Sequence, residues 1–185
     1  YDTGATGYDA LPLKAGLQEA ITQWAVGKMN SKPANLYIVM VDHGFDEVFY
    51  IHPDTVSAAE LGSWLDTLQG NLSEQAAAQE IVVLLGFCRS GSFIDNLSGV
   101  HRVVVASAAA NESSYKGPLD EDGVREGEYF VSEFFKSVAL GKSVRESFEE
   151  ATRLTEQFTS EGTGAVNAPY FDASRQHPLL DDNGD

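Results

Sequence analysis

The chain has 185 residues, 43% of them hydrophobic and 22% charged, enough for one domain with a sizeable core and too few for two ordinary ones. Twelve Lys and Arg stand against 28 Asp and Glu, a formal net charge of −16, so phosphate backbones and anionic lipid surfaces are poor partners. No apolar stretch approaches the ~20 residues that span a bilayer, the single Cys rules out an internal disulfide, and acidic residues spread among aromatic and apolar runs argue against disorder.

In chain order, Leu13, Leu17, Ala20, Ile21 and Trp24 recur at helical spacing and predict a first helix with Trp24 in the core. Leu36–Val41 is a continuous apolar run of strand length, the pattern of a strand buried on both faces. Residues 47–51, beside His52 and Pro53, predict a small hairpin. Ser57 and Glu60 make a capping box for a helix bearing Leu61, Trp64, Leu65 and Leu68. Residues 81–85 and 103–106 are two further buried-strand runs. Phe130, Phe134, Phe135 and Val138 mark one more helix, and Val144, Phe148, Ala151 and Phe158 another. Gly141 separates these two, and Ser143 with Glu146 forms a second capping box. Strands alternating with helices predict an α/β sandwich with a mainly parallel sheet. Beyond about Gly162 the sequence turns to Gly, Asn, Pro and Asp, which predicts an irregular tail over 163–185 after a domain over 1–162. Tyr1 is not an initiator Met and no leader pattern opens the chain, so a piece of a longer precursor is expected.

Ligands of open parallel sheets bind beyond the carboxyl ends of the strands. The first run is followed by Asp42-His43-Gly44, the second by Gly86-Phe87-Cys88-Arg89-Ser90-Gly91-Ser92, and the third by Ser107 and the polar stretch 111–115. An imidazole and the only thiol are thus predicted at one edge of the sheet. The thiolate is the better nucleophile, and a free thiol (ordinary pKa ~8.5) is mostly protonated at neutral pH. An imidazole can take that proton and pass it to a leaving amine. The amides of Gly44 and Cys88 lie outside regular runs and can face a developing oxyanion. His43 and Cys88 are therefore expected within hydrogen-bond reach or one water of it. A buried small hydrophobe for Cys88 and a surface or capping role for His43 are the alternatives.

The blocks Asp42-His43-Gly44, Cys88-Arg89-Ser90-Gly91-Ser92 and Ala108-Ala109-Ala110-Asn111-Glu112-Ser113-Ser114-Tyr115 resemble the legumain-type cysteine peptidases, family C13, of the caspase-like clan. The resemblance covers 36–158. It is strongest to bacterial members, which carry a Leu-Asp-Asp-Asn-Gly-Asp stretch as at 180–185. It implies a caspase-like three-layer sandwich and peptide-bond cleavage through a thioester. Cys88 would be nucleophile, His43 general acid/base, and Gly44 with Cys88 the oxyanion hole. Asp42 matches the residue before the family's catalytic His. Ser107, Asn111, Glu112 and Ser113 match the segment lining the pocket for the residue before the cleaved bond, with Glu128 as a further acid. Two departures stand out. Gly86 occupies a position that is acidic in legumains, and 1–12 contains no strand where the family's sheet begins with two. The sheet is expected to lack its first strands in this chain, and a partner chain or removed segment to cover the edge.

Two other classes remain open: a non-catalytic caspase-like scaffold, and a Cys-dependent α/β-hydrolase with an acid and a His after the nucleophile. Against the second, His101 opens a strand at the wrong edge and His177 lies in the irregular tail. A Cys-dependent phosphatase is excluded, because Ile94 stands where its Arg must be. Asp181, Asn183 and Asp185 have the one-three-five spacing of a calcium loop, with a solvated acidic terminus as the alternative. No cofactor is otherwise required. The expected partner is a peptide or protein substrate, with neither nucleic acid nor membrane insertion, and the expected location is extracellular or at the cell surface.

Overall fold

The computed structural model describes residues 12–118, 127–160 and 175–184. An initial helix runs without interruption through α1 (Lys14–Glu19), a π-helical stretch (Ala20–Ala25) and α2 (Val26–Ser31). Then come β1 (Leu36–Val41), β2 (Gly44–Phe45), β3 (Val48–Ile51), β4 (Asp54–Ser57), α3 (Ala58–Gly70), α4 (Glu74–Ala77) and β5 (Ile81–Gly86). A 3₁₀ turn (Ser90–Phe93) and α5 (Ile94–Leu97) lead to β6 (Arg102–Ala106), followed by α6 (Tyr129–Ala139), α7 (Val144–Ser160) and β7 (Leu179–Asp182). The three predicted strands are β1, β5 and β6. They form a parallel core in the order β1-β5-β6, and β7 adds to β6 antiparallel. The 47–51 segment is the middle of a three-stranded antiparallel sheet, β2-β3-β4.

β5 is buried at every position, which explains its unbroken apolar run: each face needs its own layer of helices. Ile81, Val83 and Leu85 face the core shared with Leu61, Leu65, Leu68, Phe87 and Phe93. Val82 and Leu84 face Phe130, Phe134 and Ala151 of α6 and α7. Each such side chain contributes ~1.5–3 kcal/mol on burial, so the three layers are held mainly through this strand. Both predicted capping boxes are formed. The Ser57 hydroxyl accepts from the Glu60 N–H while the Glu60 carboxylate accepts from the Ser57 N–H. Ser143 and Glu146 do the same for α7.

Two expectations are corrected. Trp24 is 57% exposed, because the helix buries Ile21, Ala25 and Met29 instead, and that spacing turns Trp24 outward, where Lys28 lies over its ring. The tail is not irregular over 179–182: Leu179–Asp182 pairs with β6 residue by residue, from Ala106↔Leu179 to Val103↔Asp182. Residues 175–178 of the predicted tail have no regular structure, and 163–174 lie outside the described residues, as do 1–11. On the other side of the sheet, β1 is the outer strand among the described residues. Its Tyr37, Val39 and Val41 side chains are exposed. Among the described residues no helix is long and apolar enough to cross a membrane.

Candidate active site

The register of the parallel pair sets the geometry. β1 and β5 end together, Val41 opposite Gly86. Asp42-His43 and Phe87-Cys88 therefore leave neighbouring strands at the same height, at the carboxyl edge where such sheets bind ligands. The segment after His43 packs directly on the segment after Gly86. A Cβ on Gly44 would overlap the Phe87 ring and come within 2.8 Å of the Cys88 carbonyl oxygen; only glycine allows this approach. The Arg89 guanidinium lies 4.3 Å over the Phe45 ring. Ser92 Oγ accepts from the Glu47 N–H at 2.8 Å, and Asn96 donates to the Glu47 carboxylate. Arg89 itself has φ of 61°, a left-handed backbone uncommon outside glycine and concentrated at functional turns.

The third loop docks on the same turn. Arg89 N–H donates to Glu112 O at 2.7 Å and Gly91 N–H to Ala108 O at 2.8 Å. The buried Ser90 hydroxyl donates to Ala108 O and accepts from Ala108 N–H. These contacts bring Ser114 to the thiol: its carbonyl oxygen is 3.8 Å and its hydroxyl 4.0 Å from Cys88 Sγ. Cys88 is half-buried, accessible to a reactant rather than sealed in the core.

The side chains singled out in the sequence fall into three groups. His43 is exposed. Its N–H donates to Asp42 Oδ1 at 2.7 Å and its carbonyl accepts from Tyr50, so the backbone is fixed while the imidazole makes no hydrogen bond among the described residues. No direct bond joins the imidazole to Cys88 Sγ, whose hydrogen-bonding neighbours are both on Ser114. Asn111 and Ser113 are exposed on the third loop. Ser107, Glu112 and Glu128 are engaged by residues that carried no local signal, Gln176 and His177. Gln176, fully buried, donates from its amide to Ser107 O at 2.7 Å and Glu128 Oε1 at 2.9 Å. The Glu112 carboxylate accepts from the His177 N–H at 2.7 Å and lies 2.6 Å from His177 Nδ1. His177, expected in a loose tail, instead pairs with an acid of the third loop.

Glu128 is 8% exposed and caps α6, accepting from the Val131 N–H at 2.7 Å. Burial pushes its carboxyl up to about 7 from the ordinary 4.5, against the opposing hydrogen bonds from Val131 and Gln176. A carboxyl raised only in the folded state binds more protons folded than unfolded. Its contribution is therefore fully present below about pH 4.5 and is lost as pH rises to about 7. At about 1.36 kcal/mol per pH unit, the loss is on the order of 3 kcal/mol. Urea unfolding at pH 5 and pH 7.5 is expected to show this decline in the parent and to lack it in Glu128→Gln; equal declines in both would assign it to other groups.

The departure at Gly86 acquires a physical reason, and the calcium-loop spacing meets structural partners. A Cβ on Gly86 would lie 2.5 Å from Val131 Cγ2 and 3.1 Å from Val41 Cγ2, so α6 occupies the space an acidic side chain would need. At the carboxy-terminal stretch, Asp181 is buried and accepts from Ser98 Oγ at 3.3 Å. Asn183 Oδ1 accepts from the His101 N–H at 2.8 Å. Both side chains tie β7 to the turn before β6, and Asp185 lies outside the described residues. Among the described residues no group of three His, Cys, Asp or Glu is disposed to hold a metal.

A mainly parallel sheet between helix layers, with a cysteine and a histidine leaving adjacent strands at their carboxyl ends, defines the caspase-like class of α/β protein. The Peptidase C13 family model matches residues 16–180, and the chain belongs to that family. The match takes in the initial helix and reaches β7, beyond the 36–158 stretch of the motif resemblance. Membership makes it a cysteine-type hydrolase of proteins. No curated protein matches the chain.

Proposed function

We propose that this chain is a cysteine endopeptidase in which Cys88 is the nucleophile and His43 the general acid/base. His43 takes the Cys88 proton as Sγ attacks the scissile carbonyl carbon. The imidazolium returns the proton to the amine as the C–N bond breaks, and the acyl group stays on sulfur as a thioester. Water, deprotonated by His43, then releases the acid and the free thiol. The amides of Gly44 and Cys88 stabilise the oxyanion. In support, the Cys88 amide donates to no other group among the described residues.

The observation that carries this reading is the Val41–Gly86 register with Gly44 packed against Cys88. It launches the two segments side by side and leaves the imidazole, which makes no hydrogen bond among the described residues, able to turn toward the sulfur. Asp42, Asn111, Glu112 and Ser113 form the polar rim and wall of the substrate cleft, with the buried Ser107 and Glu128 behind them. With a net charge of −16, that wall favours a polar or basic residue before the cleaved bond. Profiling cleavage of a peptide library tests both parts: cuts after polar or basic residues are expected, and a preference for large apolar residues would refute the pocket assignment.

One observation favours a second reading. Glu112 and His177 are hydrogen-bonded and follow Cys88 in the nucleophile-acid-histidine order of the Cys-dependent α/β-hydrolases. That scheme makes His177 the base, and alanine variants of the two histidines separate the schemes.

A further inference from the structure

One peptide group stands between Gln176 and the thiol. The carbonyl oxygen of the Ser114–Tyr115 peptide faces Cys88 Sγ at 3.8 Å, and its N–H donates to Gln176 Oε1 at 3.1 Å. The two ends of a trans peptide point in opposite directions in one rigid plane, so whatever holds the N–H aims the carbonyl. Gln176 is itself held on every side. Its amide nitrogen donates to Ser107 O and Glu128 Oε1, and its own N–H donates to Thr159 Oγ1 at 3.1 Å. One buried side chain thus links the end of β6, the cap of α6, the third loop and, through its backbone, the last turn of α7. His177 adds a second strap to the same loop through Glu112, whose carbonyl accepts from the amide next to Cys88.

We infer that Gln176 is a positioning residue for Cys88, fixing the Ser114–Tyr115 peptide so that its carbonyl stays the hydrogen-bond acceptor facing the Cys88 thiol. A carbonyl oxygen can accept from S–H but cannot donate to sulfur, so the orientation of this peptide decides which kind of partner the thiol meets. The Ser114 hydroxyl, 4.0 Å from the sulfur, is the hydrogen-bond donor to it among the described residues. The inference rests on Cys88 being the nucleophile. It assigns to the β7-side segment, remote in sequence from both motif blocks, a direct part in setting their reactivity.

The test is iodoacetamide alkylation of Cys88, unambiguous because the chain has one Cys, across pH 6 to 9.5. Gln176→Met keeps the length of the side chain and removes its hydrogen bonds. Of the charged groups around this edge, His43, Arg89 and the Glu112–His177 pair keep their contacts, and Glu128 loses one hydrogen bond while keeping that from the Val131 N–H. Alkylation at pH 6.5 is expected to be at least about threefold faster than in the parent, converging to within about twofold by pH 9.5. An unchanged profile in a folded Gln176→Met would overturn the inference. Thr159→Val removes the acceptor for the Gln176 backbone but leaves the side-chain bridge. It is expected to keep the parental profile, and an acceleration equal to that of Gln176→Met would reduce the effect to general loosening and overturn the inference. If Gln176→Met does not fold, Ser114→Ala still decides. With only the carbonyl left beside the sulfur, alkylation at pH 6.5 is expected to be unchanged or slower, and faster alkylation would overturn the inference. Peptide cleavage by the parent, measured alongside, tests the nucleophile assignment separately, so either can fail while the other stands.

Discussion

Cys88→Ala and His43→Ala are each expected to reduce peptide cleavage by at least about a thousandfold while leaving the fold unchanged. Removing either member of a nucleophile–base pair removes the covalent route itself, not one contribution to it. Structural damage is not expected from either change. His43 is exposed and Cys88 half-buried, and neither side chain anchors the core. The backbone at His43 is held by Asp42 and Tyr50 through main-chain atoms that alanine retains. His177→Ala is expected to keep activity within about threefold. Cleavage assays on the three variants, with circular dichroism and thermal melts as folding controls, separate the alternatives. Parental activity in His43→Ala together with loss in His177→Ala would transfer the base role to the Glu112–His177 pair. Parental activity in Cys88→Ala would remove the mechanism altogether.

The largest expected effect on stability is at Phe87. Its side chain is fully buried, its ring centroid is 5.1 Å from those of Phe49 and Phe93, and its edge fills the space a Cβ on Gly44 would need. Phe87→Ala removes the side chain around which β3, the 3₁₀ turn and the start of β2 are assembled. Buried Phe→Ala changes cost ~3–5 kcal/mol through lost transfer energy and the cavity left behind. The same ring sets the separation of the two segments proposed to be catalytic, since Phe87 adjoins Cys88 and packs against Gly44. A displacement of about 1 Å between reacting groups costs on the order of a hundredfold in rate. Phe87→Ala is therefore expected to lower both the urea midpoint and the cleavage rate, with Phe87→Leu intermediate. A stability loss under about 1 kcal/mol would contradict the packing described for this ring.

The residues surrounding Cys88 explain why one part of the site was legible and another was not. The Asp42-His43-Gly44 and Cys88-x-Ser90-Gly91 blocks sit at strand ends, and strand ends are marked by the sequence that precedes them. Ser114 lay within the loop recognised by resemblance, but nothing local distinguished it from Ser113. Its contact with the sulfur depends on Arg89 N–H reaching Glu112 O and Ser90 reaching Ala108. Gln176 carried no signal and His177 was set aside with the tail, because a glutamine and a histidine in a Gly-, Asn- and Pro-rich stretch have no periodicity to read. Glu128 was singled out as an acid. That it caps α6 and is bonded by Gln176 follows from the docking of a segment 48 residues away.

By itself the sequence determined what depends on neighbours within a few residues. Three apolar runs long enough for buried strands, two Ser-x-x-Glu capping boxes, and the amphipathic helices between them are each set by local propensity and burial pattern. The tertiary structure alone decided what depends on residues far apart meeting. It turned Trp24 to solvent, because the π-helical stretch shifts which face meets the core. It drew Leu179–Asp182 into the sheet, because β6 offered an unpaired edge whose hydrogen bonds a polar strand can satisfy. And it brought Gln176 beneath the loop that touches Cys88, because a buried amide with several unmet bonds is stable only where several chain segments converge.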